Sequence, residues 1–341
     1  MIELKYNTLY FSFPDVHSKA KLSISFKKTL RIPDDGKDYP LPPGLGDFPL
    51  EHVDDYAPIL PEKWQERGGV MLPMYQSEAM WINFHSSHLY DHGAKYPFAV
   101  KIAAGKINAV TGESWSNGLS RNPQDYMVVP DQPWLDGYCV EKGIIRQFVA
   151  MPLGEGYSPE EQINKSAETG GLQIEVYPMK RKAFEKRWPV KPSTQAVFIS
   201  QGEILYCSSP DMALGLGGRM RQEIYEDEFE MSEWDLNTCS RCFVHLTDSK
   251  SWQAVTGKNP PSLPLTARDY SDHGLPWFEY YSDSKPLPGA KILGKLKSIT
   301  EMGKTRRIDP LPENESADPQ NIVHIRKNMH QNQVREWRGR G

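Results

Sequence analysis

Prolines and glycines set the scale of what this chain can build: 28 and 26 of them in 341 residues cut it into short runs. Proline has no amide hydrogen to give to a helix or a ladder, and glycine opens the left-handed turns that reverse a chain. Between these breaks lie apolar or alternating runs of strand length. Leu9–Phe13 and Leu22–Phe26 suit a pair of strands around a Pro14–Asp15 turn. Residues 98–102, 126–129, 144–151, 172–177, 196–206 and 242–246 continue the pattern, punctuated by Thr111–Gly112, Asp136–Gly137 and Lys142–Gly143.

The expectation is a mainly β protein with a few short helices (α+β being the alternative), and a sandwich- or barrel-like sheet core. Apolar residues make up 38% of the chain, enough for a sizeable core without disulfides or metal. The chain divides into an N-terminal pair of strands with a proline-rich wrapping arm (1–59), a β-rich core (60–300), and a polar linker with a flexible basic tail (301–341). Two helices have clear punctuation. Pro61 and Glu62 open one that Gly68–Gly69 stops. Ser158, Pro159 and Glu161 form a capping box for another, expected to run about three turns to Gly170–Gly171. Lys180–Lys191 reads as a surface connection. Residues 321–341 hold five Lys/Arg against one Glu. Ile322, Ile325, Met329 and Trp337 fall loosely on one helical face there, so any nucleic-acid binding is expected through this tail.

No run approaches the ~18 apolar residues of a spanning helix. The N-terminus lacks the basic and apolar segments of a secretion signal, so a cytoplasmic protein is expected. Net charge is −4, which gives no global attraction to nucleic acid or anionic lipid. Four cysteines, Cys139, Cys207, Cys239 and Cys242, are expected to be thiols.

Several constellations carry possible chemistry, each beside a plainer reading. His85, His88 and His92 would share a helical face and suit zinc, but the serines and Asp91–His92–Gly93 read as a loop. Cys239, Cys242 and His245 have metal-like spacing. As a strand, however, Cys242 and Val244 face one way, Phe243 and His245 the other. Gly217, Gly218, Arg219 and Arg221 could cradle an anion, against a tight turn. Glu155, with Arg146 or Lys142, is a candidate catalytic pair near the Pro152–Tyr157 loop. Seven carboxylates between Glu223 and Asp235 read as a solvated face. Pro40–Pro43 has the spacing of an aromatic-groove ligand, against a loop lying on the core. Trp115, Trp134, Trp277, Phe278 and Tyr280 sit near turns, where aromatics either plug a core or present a contact surface.

Gly68–Gln76, Tyr96–Lys106 and Gln132–Lys142, running on to Met151–Tyr157, together resemble a family of uncharacterised microbial proteins. The likeness reaches to about residue 300 and implies one integral unit, with no residue roles attached. A binding or scaffold protein for a protein or small-molecule ligand is the first expectation. An enzyme of unspecified reaction is the second. No cofactor is expected unless one of the zinc proposals holds.

Overall fold

A computed structural model describes residues 1–165, 167, 170–190, 211–260, 265–282, 284–308 and 314–326. The run expected as a strand over 196–206, Cys207, Met329 and Trp337 lie outside these residues. The protein is mainly β, and no helix among the described residues exceeds the eight residues of Ser249–Thr256. None is long and apolar enough to cross a membrane.

Strands Ile2–Lys5, Thr8–Ser12, Lys21–Thr29, Ala79–Ser86, Ile144–Pro152 and Asp211–Arg221 pair antiparallel in that spatial order. Asp211–Met212 then meets the end of Ser240–Asp248, and pairing continues through Leu172–Pro178 to Phe98–Ala104. Val70–Met74 runs parallel along the other edge of Ser240–Asp248. The two halves turn their apolar faces onto one core. Leu22, Ile24, Phe26, Met80, Ile82, Phe148 and Leu214 from the first half join Val100, Ile102, Ile174, Val176, Val244 and Leu246 from the second. Strand alternation puts every second residue inward, which is why these series step by two.

The N-terminal strands belong to this core, with Leu9, Phe11 and Phe13 buried in it beside residues of the 60–300 segment. The proline-rich arm lies across the outer face of the 144–152 and 211–221 strands. Leu30, Ile32, Tyr39 and Leu41 pack there with Ile145, Met220, Trp277 and Ala317 in a second apolar cluster. Gln147 anchors the arm, accepting from the Ile32 amide at 2.8 Å and donating to Leu30 O at 2.9 Å. With both faces of these strands covered, 144–152 reads as a near-continuous apolar run.

Four local expectations change. Gly215–Arg219 is no turn: it lies within the 211–221 strand, at a break in register where Arg146 pairs with Arg219 but Phe148 with Leu216. That is a β-bulge. A Cβ on Gly218 would lie 2.4 Å from Pro33 O, so glycine is needed for the arm's approach. Ile322–Arg326 is a strand parallel to Trp277–Tyr281, because its partner is distant in sequence. The capping box forms at Ser158 and Glu161, yet that helix ends at Asn164, with Lys165 left-handed at φ 63°. The surface connection expected over Lys180–Lys191 is helical in part, over Arg181–Arg187, held by buried Phe184 against Tyr96 at 4.5 Å.

Candidate ligand-binding cleft

The arm and the aromatic residues meet at the rim of the second cluster and enclose a cleft of about 170 Å³. Leu41, Pro42, Pro43 and Gly44 form one wall. Leu41 is fixed by exchanging backbone hydrogen bonds with Phe278, at 2.8 and 2.9 Å. Gly44 rests on Trp81: a Cβ there would come within 3.2 Å of the indole. Thus the Pro40–Pro43 spacing and the aromatic supply do meet, but within one chain, the arm lying on its own groove.

Trp81, Trp134, Phe278 and Ile325 make the opposing wall. Trp81 comes from the 79–86 strand, Phe278 and Ile325 from the two parallel C-terminal strands. Trp81 and Trp134 meet edge to face at 6.2 Å, and Trp134 meets Tyr280 similarly at 4.9 Å. Such T-shaped pairs fix ring orientation, because the positive edge of one ring seeks the negative face of another. The buried Trp81 Nε1 hydrogen has no acceptor among the described residues.

Among the described residues Asp136 is the one ionisable residue lining this cleft. It is 3% exposed. It sits where the chain passes from Trp134–Leu135 into Gly137–Glu141, and Gly137 permits that crossing because its Cβ would strike Arg146 O at 2.0 Å. Its amide donates to Gln222 Oε1 at 3.0 Å, and Gln222 Nε2 donates to Asp136 Oδ2 at 2.6 Å. Burial pushes the carboxyl up to about 7, opposed by the Gln222 bond, and among the described residues no charged neighbour acts on it. Desolvation without a compensating cation has this effect.

The other candidate groups are placed apart. His85 is exposed on its strand, while His92 is buried with Nδ1 2.5 Å from Trp188 O. His88 lies on a separate two-residue strand against Tyr90. Cys242 joins the main core and Cys239 is exposed, both thiols free. Burial lifts the Cys242 thiol to about 12. His245 points to the opposite face from Cys242, stacked on Trp64 at 4.3 Å with Nε2 3.0 Å from Gly68 O, and burial lowers it to about 4. Among the described residues no group of three or more His, Cys, Asp or Glu is arranged to hold a metal ion.

Arg219 is bound by Asp38 at 2.7 Å and Glu141 at 2.9 Å, and Arg221 by Glu279 at 3.1 Å, so the proposed anion cradle is already filled by carboxylates. Glu155 pairs with Arg306 at 3.0 Å while Arg146 faces Asp34 at 3.6 Å; Lys142 is exposed in a turn. Much of the acidic stretch has internal partners: Glu226 binds Lys285, Glu233 binds Arg187, and Asp227 accepts from Tyr126 and Trp234. A larger cleft of about 410 Å³ opens between Arg121–Gln124 and Leu287–Ala290. Its charged groups are committed, with Arg121 donating to Asp227 O and Phe229 O.

The sequence presents Asp136 as part of an Asp–Gly turn and Trp81 as part of a buried run, and marks neither as a site residue. One signal was present: Trp134 and Asp136, two apart in an extended run, share a side. Comparisons with protein-family models, curated proteins and solved structures found no match to the chain, and so add nothing to the resemblance noted above.

Proposed function

We propose that this protein is a binding module whose ligand seats in the cleft between the proline arm and the Trp81–Trp134–Phe278 wall. The supporting observation is a single one: rigid aromatic faces and a buried carboxyl converge on a cavity that the protein's own side chains leave open. Apolar walls with one or two placed polar groups are the usual composition of small-molecule sites. At about 170 Å³ the cleft is smaller than the ~300–1,000 Å³ of sites that engulf a whole ligand, so a compact head group is the fitting occupant. An enzyme reading has less behind it, since Glu155 and Arg146 are held by different partners.

Thermal-shift and calorimetric titration with small ring-bearing and alkyl-rich compounds tests the proposal. Binding that raises the melting temperature of the protein, and is lost in Trp134→Ala while the circular dichroism spectrum is kept, is the expected result. Equal shifts in the two proteins would remove the cleft from consideration.

A further inference from the structure

We propose that the head group taken by this cleft is an alkyl-ammonium cation, set between the Asp136 carboxylate and the faces of Trp81 and Trp134. This rests on the cleft being the binding site. Asp136 is 97% buried by the complement of its 3% exposure, lines the cleft, and receives one side-chain hydrogen bond, from Gln222. Among the described residues no lysine or arginine forms an ion pair with it. A buried carboxylate lacking a counter-charge is costly, and a cation entering the cleft supplies that charge.

The walls suit the same occupant. Indole faces attract cations through the ring quadrupole, and methylated ammonium groups, which hold their water weakly, gain most from such a site. Pro42, Pro43 and Ile325 provide apolar contact for the alkyl groups. Anionic head groups fit poorly, because the adjacent carboxylate repels them. A neutral group would fill the space and leave Asp136 uncompensated.

The test titrates the full chain at pH 8 with choline and with its neutral carbon isostere, 3,3-dimethylbutan-1-ol. Choline is expected to bind at least about tenfold more tightly. In Asp136→Asn that preference should shrink severalfold, to what the indole faces alone supply, while the isostere's affinity changes little. A trimethyl-lysine amide titrated in parallel distinguishes a free small cation from a modified protein side chain as its source, by which of the two binds more tightly. Wild-type protein gives a second readout that needs no variant. At pH 7, choline binding should release protons, detected as a dependence of the heat on buffer ionisation enthalpy. Equal affinity for choline and isostere, or binding without proton release, would overturn the cation assignment and leave the cleft standing. Failure of both ligands to bind would remove the cleft itself.

Discussion

Asp136 and Gln222 are locked side chain to main chain and side chain to side chain: one amide group of Gln222 both accepts the Asp136 N–H and donates to its carboxyl. Gln222 follows the bulged 211–221 strand, so the sheet itself orients the acid at the cleft.

That acid has a thermodynamic signature. Its carboxyl lies near 7 in the folded protein against 3.8 in its ordinary state, so between those values the native chain keeps a proton that the unfolded chain has lost. This contribution makes stability fall as pH rises from about 4 to about 7, the lower level persisting above. Asp136→Asn keeps an oxygen for Gln222 without a charge to bury. It is expected to stabilise the protein at pH 8 by on the order of 1–4 kcal/mol and to change little at pH 4. Urea midpoints at the two pH values measure this; coincident midpoints at pH 8 would contradict it.

His245 works in the opposite sense. Held near 4 against an ordinary 6.5, it stays neutral on its Trp64 stack while the unfolded chain takes up a proton. Its contribution is full above pH 6.5 and declines toward pH 4, by on the order of 2–3 kcal/mol. His245→Gln should therefore be less stable than wild type at pH 8, with the gap closing or reversing by pH 4. A gap independent of pH, followed by thermal denaturation, would show that the imidazole is not buried neutral. In wild type the two linkages partly cancel over the acid range, so Asp136→Asn should also steepen the acid-side loss.

Gly218→Ala tests the contact between arm and sheet. The added methyl would stand 2.4 Å from Pro33 O and 2.6 Å from Ile32 O, both backbone atoms that cannot swing aside. A loss of about 3 kcal/mol is expected. Gly294→Ala, whose nearest contact would be an ordinary 3.4 Å, serves as control and should be nearly neutral. Similar melting temperatures for the two variants would show that the arm yields without cost.

What could be read from the residues was what neighbours in sequence decide. The Ser158–Glu161 capping box and the alternation of Cys242, Phe243, Val244 and His245 are local in cause, and both appear as expected. The glycines at 215–218 looked like a turn because the feature that requires one of them, the carbonyls of Ile32 and Pro33, lies some 185 residues away in the chain. Ile322 and Ile325 suited a helical face, and only the distant 277–281 strand makes them extended. Asp136 was read as half of an Asp–Gly turn. Its burial arises from the arm, Gln222 and the C-terminal strands, none adjacent to it in sequence.

Those origins also constrain how the cleft can exist at all. Residues 41–44, 81, 134, 136, 278 and 325 meet only after the arm and the C-terminal strands have docked on the central strands. Trimming the C-terminal strand at Ile322–Arg326, which adds no residue to the main core, should then remove one wall of the cleft while that core persists, making the proposed ligand capture a late and sensitive gauge of complete assembly.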